Sequence, residues 1–364
     1  MRGKKRVEMA MNLEKPDRVP FDGLLPHRSP ILYLPMLPPK SWQPEDKEGV
    51  YPNVEPLMIK FRLWKWNPKN WNPPKKWWTK PRLATDPFGC VWEYAKNDAT
   101  KGHPGNVQPM KSLDQAEDWP LPDPYDKSMY KLPKRAGKLL FWKYKIGMLD
   151  SLLYARVQYL RGFNKSLMDL ARGAEGIKVL IKRLTEYFKG AIEMWGKAGV
   201  DAVYGQDDMG AQNELFMSPR MYKKYFAPAY KELADTAHEN GLKFILHSCG
   251  HVNKLIPIWI DCGIDALQFD SPKMTGLDYD KQFCGKIGFH LVPDIQTVYP
   301  FADSEEFEKE IKRMIKVMGK KGGLIIRDYM GATKVLEVPK RNYEALPTLV
   351  KKYGRYPIEI DESI

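Results

Sequence analysis

The chain has 364 residues, of which 43% are apolar and 28% charged, ordinary values for a globular protein with a sizeable core. Its 58 Lys and Arg against 45 Asp and Glu give a formal net charge of +13. This composition excludes a wholly disordered chain, a collagen and a coiled coil. The length fits one large barrel as well as two smaller domains.

The sequence contains no segment suited to a membrane. No apolar stretch reaches the roughly 18 uninterrupted residues that a membrane helix needs, and the basic start of the chain does not lead into an apolar signal core. We therefore expect a cytoplasmic protein without a membrane partner. The four cysteines, Cys90, Cys249, Cys262 and Cys284, include no C-x-x-C pair and are expected to be reduced thiols or metal ligands.

Positive charge is concentrated in two regions. Residues 60–82 hold eight Lys or Arg, no acid and five tryptophans, and residues 131–189 hold fourteen Lys or Arg against four acids. Such regions form solvated faces, attract acidic partner proteins or anionic substrates, or stack on single-stranded nucleic acid. No recognised nucleic-acid-binding motif accompanies them, so nucleic acid is not expected as a partner.

The predicted elements begin with a helix near 4–13 and a strand near 19–24. Residues 26–150 are rich in proline, tryptophan and turns. From residue 151 onward strands and helices alternate. Strands are predicted at 200–206, 242–246, 264–269, 286–292 and 324–326, and helices at 177–195, 218–240, 251–261, 303–318 and 341–353.

Repeated strands and helices with short connections predict parallel strands, in an open doubly wound sheet or a (β/α)8 barrel. The glycine patterns of dinucleotide-binding and P-loop proteins are absent. Successive strands end in polar residues, which favours a barrel because a barrel gathers its strand ends into one mouth. We predict a single (β/α)8 TIM barrel domain over 1–364, with an N-terminal helical extension. Residues 26–150 form a Pro/Trp-rich insertion or cap and 151–364 the regular barrel.

The candidate site consists of residues at these strand ends. They are Gln206, Asp207, Asp208, His247, Cys249, Asp270, His290, Asp294, Arg327 and Asp328. In an extended segment residues i and i+2 point the same way, so His247 and Cys249 can offer an imidazole nitrogen and a thiolate to one metal ion. The alternative is a hydrogen-bonded histidine beside a packed cysteine. Asp207 and Asp208 are acid–base groups, ligands, carboxylates that orient His247, or a helix cap beside a solvated neighbour.

Several motifs, taken together, resemble the uroporphyrinogen decarboxylase superfamily. They are KPDRVPFD at 15–22, DPFGCVW at 86–92, DDMG at 207–210, MSPRMYKKYFAPAY at 217–230, LHSCGHV at 246–252, LIPIWIDCGIDALQ at 255–268 and FADSEEFEKEIKRMI at 301–315. The likeness runs in order from about residue 4 to 353. It implies a (β/α)8 barrel and one of two activities, decarboxylation of uroporphyrinogen or corrinoid-dependent methyl transfer.

The resemblance favours the second activity. The H-x-C-G motif marks the superfamily's methyltransferases, and the decarboxylases' R-Q-A-G-R signature is missing here. This implies a methyltransferase whose partner is a corrinoid protein carrying cobalamin, with His247 and Cys249 as zinc ligands. The family's later cysteine is absent from 323–331, so Asp328 is the expected replacement ligand, with His290 or Asp208 behind it.

A weaker site with nitrogen, sulfur and oxygen ligands, or no metal site at all, suits an enzyme whose substrate is a methyl donor. The departing phenolate is then stabilised either by zinc acting as a Lewis acid or by a proton from Asp208 or His247. We therefore expect an O-demethylase acting on a small methoxylated aromatic compound. The expected catalytic residues are Asp208, His247 and Cys249, and the expected substrate-binding residues are Gln206, Asp207, Asp270 and His290. A decarboxylase-like enzyme and a cobalamin-to-thiol methyltransferase are the alternatives, and assembly into a homo-oligomer stays open.

Overall fold

The computed structural model describes residues 1–23, 29–39, 82–94, 103–104, 106–329 and 336–360. The strands in these ranges are β1 (Phe21–Asp22), β2 (Ile31–Leu34), β3 (Arg82–Thr85), β4 (Val91–Tyr94), β5 (His103–Pro104), β6 (Tyr144–Ser151), β7 (Ala202–Gln206), β8 (Lys243–His247), β9 (Ala266–Phe269), β10 (Gly288–Leu291) and β11 (Leu324–Arg327). Eight of them form a parallel sheet of order β1-β11-β10-β9-β8-β7-β6-β2, and β3, β4 and β5 form a small antiparallel sheet.

The α-helices of the same ranges surround the parallel sheet. They are α1 (Gly3–Met11), α2 (Ser128–Leu139), α3 (Leu153–Arg161), α4 (Phe163–Arg172), α5 (Glu175–Ala198), α6 (Pro219–Tyr225), α7 (Ala227–Glu239), α8 (Ile256–Asp261), α9 (Pro272–Thr275), α10 (Leu277–Asp280), α11 (Ser304–Met318) and α12 (Lys340–Tyr353). With β1 and β2 at its two edges, the eight-stranded sheet curls into a nearly closed (β/α)8 barrel, and the predicted fold is confirmed.

Side-chain hydrogen bonds join the two edge strands. Asp22, at the end of β1, accepts one hydrogen bond from the hydroxyl of Ser29 at 2.7 Å and another from that of Tyr33 in β2 at 2.7 Å. Asp22 is fully buried, so these donors replace the water that its carboxylate loses on folding. The seam of the barrel is therefore held by a polar cluster inside it.

Alternation along the strands separates two layers of buried side chains. The inner layer comprises Ile31, Tyr144, Ile146, Ala202, Tyr204, Ile245, Ala266 and Ile325. Helix α1 packs Val7, Ala10 and Met11 against this inner layer, so the helix closes the N-terminal end of the barrel. The outer layer joins the strands to the surrounding helices, for example where Trp195 of α5 covers Gly147 of β6.

Side-chain caps begin two of the predicted helices, and one predicted helix is corrected. Asp303 caps α11 by accepting from the backbone N–H of Glu305 and Glu306, and Ser218 caps α6. The helix predicted over 218–240 is two helices, because the chain breaks at Phe226. Pro228 has no N–H to bond the carbonyl of residue 224, so it begins a new helix instead of continuing the first.

The small sheet is attached to the barrel by a buried ion pair. Asp86, directly after β3, accepts hydrogen bonds from the indole of Trp92 at 2.9 Å and from Arg156 of α3 at 2.5 Å. Arg156 also contacts Asp150 at 3.0 Å, and its side chain is only 1% exposed. The part of 26–150 described here thus includes two barrel strands, β2 and β6, as well as a cap fixed to α3.

The two basic regions differ in what the structure describes. The tryptophan-rich segment, apart from Arg82, lies outside the described residues. In the second region the exposed Lys131, Lys134, Arg135 and Lys138 line one side of α2. No helix in the described ranges combines the length and apolar character needed to cross a bilayer.

Candidate functional site

Three of the predicted residues meet at the C-terminal end of the barrel. β7 ends at Gln206 and β8 at His247, so Asp208 and Cys249 each lie two residues after the end of a strand. The Nε2 atom of His247 is 3.4 Å from Sγ of Cys249 and 3.4 Å from Oδ1 of Asp208. All three ligand atoms lie within 4.8 Å of one another. We call Asp208, His247 and Cys249 the strand-end triad.

Two glycines allow the loops after β7 and β8 to touch. Gly250 has a φ of +97°, and a Cβ placed on it would collide with the backbone of Gly210. The N–H of Gly210 donates to the carbonyl of Cys249 at 3.3 Å, and the N–H of Cys249 donates to Oδ1 of Asp208 at 2.8 Å. The close contact between these loops therefore fixes Asp208 beside Cys249.

The ring of His247 is oriented by Gln268 of β9. Nδ1 of His247 donates to the amide oxygen Oε1 of Gln268 at 2.5 Å, and the hydroxyl of Tyr204 donates to the same oxygen at 2.9 Å. The amide nitrogen of Gln268 donates in turn to Asp270 at 2.8 Å. This arrangement directs Nε2 of His247 toward Cys249 and Asp208, in the way that a hydrogen-bond acceptor on one ring nitrogen orients a metal-binding histidine.

Burial and neighbouring groups act on the pKa values of the strand-end triad. Burial alone would lower the pKa of His247, but Tyr204, Cys249 and Asp208 raise it well above its ordinary value. Burial also raises the pKa of Cys249, so without a cation beside it this group stays a thiol. The side chain of Asp208 is 57% exposed, which leaves the triad open to solvent on one side.

Asp207 lies away from the triad although it precedes Asp208 in sequence. Its carboxylate accepts hydrogen bonds from the backbone N–H groups of Tyr154 and Ala155 and from the hydroxyl of Tyr230 at 2.6 Å. Burial raises the pKa of Asp207 to about 7 despite these donors. The residue holds the start of α3 against α7, and the structure does not bring it to the mouth.

The structure also separates Asp328 and His290 from the triad. Asp328 accepts a hydrogen bond from Tyr299 at 2.5 Å and is not among the grouped ligand atoms; Asp208 takes the third position instead. His290 is fully buried in β10, with Nε2 3.2 Å from Oδ2 of Asp22. Gln206 and Asp270 lie at strand ends beside the triad, where β7 and β9 flank β8.

Several polar residues of this region were not predicted. Gln268 and Tyr204 orient His247, and Tyr33 and Asp22 form the polar cluster at the seam. The phenol of Tyr329, two residues after the end of β11, lies within electrostatic range of Asp270, Cys249 and His247. The sequence carries one signal that could have identified Gln268, because it is a polar residue inside the otherwise apolar strand Ala-Leu-Gln-Phe.

The cysteines outside the triad are engaged elsewhere. All four cysteines of the chain are free thiols. Cys90 contacts Arg156 at 3.7 Å, Cys262 donates to the carbonyl of Ala227 at 3.3 Å, and Cys284 donates to that of Met318. Cys249 is therefore the one cysteine that can supply sulfur to the triad.

Comparison with solved structures finds the same fold in one methyltransferase of low sequence identity and a weaker likeness in other proteins. A methyltransferase from Methanosarcina mazei matches with a TM-score of 0.63 and 13% identity, covering 97% of this chain and 99% of that one. A B12-independent methionine synthase from Shewanella sp. W3-18-1, in complex with selenomethionine, matches with a TM-score of 0.46 and 11% identity over 76% of this chain and 75% of that one. No curated protein matches by sequence.

The family comparison is more specific. The model of the uroporphyrinogen decarboxylase (URO-D) family matches residues 154–353, which is more than half of the 364 residues. The matched range contains the strand-end triad, five of the eight barrel strands, β7 to β11, and most of helix α3, which follows β6. The chain belongs to the uroporphyrinogen decarboxylase family.

Proposed function

We propose that this protein is a corrinoid-dependent methyltransferase. It moves a methyl group from a small methoxylated aromatic compound to the cobalt of a corrinoid carried by a partner protein. The observation that carries this proposal is the strand-end triad, in which the H-x-C-G motif supplies an imidazole and a thiol to one point of the barrel mouth. Family membership and the methyltransferase fold of the Methanosarcina mazei protein support it.

The donor atoms of the triad fit a zinc ion. One nitrogen, one sulfur and one oxygen converge within 4.8 Å, and these are donor atoms that zinc would accept from Asp208, His247 and Cys249. Nδ1 of His247 is occupied by Gln268, so the free nitrogen is the one that faces the other two ligands. Cys249 loses its proton when a cation binds, because the thiolate is the ligand.

Each component has a defined role in demethylating an aryl ether. Zinc, when bound, supplies a Lewis acid for the ether oxygen, and the reduced corrinoid supplies the nucleophile that takes the methyl group. Asp208, His247 and Cys249 hold the metal, and Gln268 keeps the imidazole in position. Gln206 and Asp270 lie beside the triad and contact the substrate in this proposal.

The hydroxyl of Tyr329 assists the departing oxygen. Burial raises the pKa of Tyr329 well above that of a free phenol, so the hydroxyl keeps its proton at neutral pH. In this proposal the neutral phenol, which lies within electrostatic range of Cys249 and His247, donates a hydrogen bond to the negative charge that develops on the oxygen as the bond to methyl breaks. The released phenolate then takes a proton from solvent, and the product is a phenol.

The two alternative activities have less support. A Cys2His zinc site for methylating a thiol needs a second cysteine, and the other three cysteines of the chain lie elsewhere. A uroporphyrinogen decarboxylase is disfavoured by the missing Arg-rich signature. An oxygen ligand from Asp208 in the third position fits the demethylation of an ether better than it fits thiol methylation or uroporphyrinogen decarboxylation.

The first test measures metal content by mass spectrometry on protein purified without chelators. We expect about one zinc per chain, lost in both His247→Ala and Cys249→Ala, and retained in the matched control Cys284→Ala. Cys249→Ala is also expected to abolish methyl transfer from 4-methoxybenzoate to cob(I)alamin on the partner protein while keeping the circular dichroism spectrum. Full turnover by Cys249→Ala would contradict the proposed function.

A further inference from the structure

Arg327 is a buried cation with unused hydrogen-bond donors. It ends β11 inside the barrel, and its side chain is 10% exposed. Nε has no acceptor in the described ranges, and no hydrogen bond from either terminal nitrogen is formed within them. An arginine offers five N–H donors, and a buried charge is normally paired and hydrogen-bonded. This side chain therefore has donors available for a ligand.

Neighbouring residues hold the guanidinium without using those donors. Nε lies 3.8 Å from Oδ2 of Asp22, too far for a hydrogen bond, and the ring of Tyr33 lies 5.2 Å from the guanidinium carbon. Asp22 is already engaged by Ser29 and Tyr33. Burial would raise the pKa of Asp22, but His290 and Arg327 lower it, so the carboxylate is charged and balances the arginine.

His290 adds a second unpaired group to the same cluster. The ring is fully buried, and neither Nδ1 nor Nε2 has a hydrogen-bond partner in the described ranges. Nε2 lies 3.2 Å from Asp22, but the contact does not have hydrogen-bond geometry. Burial lowers the pKa of His290, so the ring is neutral and can donate to an anion from one nitrogen.

This cluster and the strand-end triad line the same interior of the barrel. His290 pairs with Gln268 in the ladder between β10 and β9, and Gln268 orients His247. The ring of Tyr204 lies 6.1 Å from that of Tyr33, which packs on Arg327, and 6.3 Å from that of His247. A ligand that reaches both Arg327 and the triad therefore has to span only the rings of Tyr33 and Tyr204.

We propose that Arg327, with His290 beside it, binds a carboxylate of the substrate. This inference rests on the proposed function, and it narrows the substrate class to methoxylated aromatic acids. Asp22 faces Nε, so the edge formed by the two terminal nitrogens is free for a bidentate contact with the carboxylate. Tyr33 and Asp22 position Arg327, and the triad receives the methoxy group.

The test compares two ligands of the same shape by calorimetry on the zinc-loaded protein alone. We expect 4-methoxybenzoate to bind at least about 30-fold more tightly than the neutral 4-methoxybenzamide. Arg327→Met is expected to remove this preference without weakening 4-methoxybenzamide. Arg313→Met, at an exposed arginine of α11, is the matched control and is expected to change neither.

Arg327→Lys is a second variant, which keeps the test valid if Arg327→Met does not fold. It keeps the charge beside Asp22 but loses the planar fork, so we expect an intermediate preference for the acid. Equal binding of the two ligands by wild type, or an unchanged preference in Arg327→Met, would overturn the inference. The binding experiment needs no corrinoid protein, so its outcome is independent of methyl transfer. Selective binding of the acid without methyl transfer would refute the proposed function alone. Methyl transfer without selective binding of the acid would refute the carboxylate site alone.

Discussion

The amide oxygen of Gln268 lies 2.5 Å from Nδ1 of His247 and fixes the side of the imidazole that faces the strand-end triad. The same oxygen accepts the hydroxyl of Tyr204, so Gln268 holds both groups from β9. A histidine ligand held in this way loses little rotational freedom when a metal binds. In the proposed zinc site Gln268 would therefore be a positioning residue, because it contacts His247 and is not among the three ligand residues.

Gln268→Leu is expected to weaken zinc binding by roughly 10- to 100-fold, because Nδ1 of His247 loses its acceptor. Gln268→Glu keeps an acceptor and is expected to retain most of the affinity. The measurement is competition with a chelating dye. Gln282→Leu, which removes an exposed glutamine, serves as control. Unchanged affinity in Gln268→Leu would show that the contact does not orient the ligand.

Gly250→Ala is expected to reduce zinc content strongly, because the new methyl group collides with the backbone of Gly210 and separates the loops that carry Asp208 and Cys249. Gly241 has a φ of +70° but open space around it, so Gly241→Ala imposes similar backbone strain without a collision. Zinc should stay near one per chain in the control. Equal zinc content in both variants would mean that the loop contact is not needed for the site.

Arg156→Met should lower the free energy of unfolding by about 3–5 kcal/mol, since it leaves Asp86 buried with an uncompensated charge. The comparison variant is Arg313→Met, whose partner Asp278 is exposed; its loss should stay under about 1 kcal/mol. Urea denaturation of both variants measures the difference. Similar losses would indicate that the buried pair contributes no more than a surface pair.

Asp280 predicts a pH dependence of stability. The residue is fully buried, Oδ2 accepts a hydrogen bond from Thr275 at 2.6 Å, and Oδ1 has no partner in the described ranges. Burial raises the pKa of Asp280 from its ordinary value of 3.8 to about 7. Between these two values the folded carboxyl keeps a proton that the unfolded one has released. The stabilising contribution is therefore complete below about pH 4 and is lost as pH rises toward 7.

Asp280→Asn cannot titrate, so its stability relative to wild type should rise with pH across this window. The free energy of unfolding of Asp280→Asn relative to wild type should increase by at most about 1.4 kcal/mol per pH unit, and the increase should stop above pH 7. Urea unfolding of both proteins at pH 5, 6, 7 and 8 measures it. Parallel pH profiles for the two proteins would show that Asp280 is ionised in the folded state.

The barrel was predictable because its signals are local. The Asp303 capping box, the Ser218 cap and the apolar strands all act within a few residues. The break at Phe226 follows from Pro228 and is visible in the sequence as well. The ion pair of Asp86 with Arg156 was not predictable, because it joins groups 70 residues apart that no local pattern relates.

The candidate site was predictable in part for the same reason. His247 and Cys249 follow from the alternation of an extended strand end. The choice between Asp207 and Asp208 does not, because neighbouring residues at a strand end point in opposite directions and the loop geometry decides which one faces the mouth. Asp208 reaches Cys249 only because Gly210 and Gly250 bring two loops together. The expected ligand Asp328 lies instead against Tyr299.

Helix α1 has a consequence for the proposed reaction. Its residues Val7, Ala10 and Met11 fill the N-terminal end of the barrel, so within the described residues the strand-end triad is approached from the C-terminal end. In the proposed reaction the small substrate and the corrinoid protein would both arrive at this end. The small substrate would then bind first, and the partner protein would cover it during methyl transfer. The product would leave only after the partner dissociates, so exchange of the partner would limit the rate of turnover.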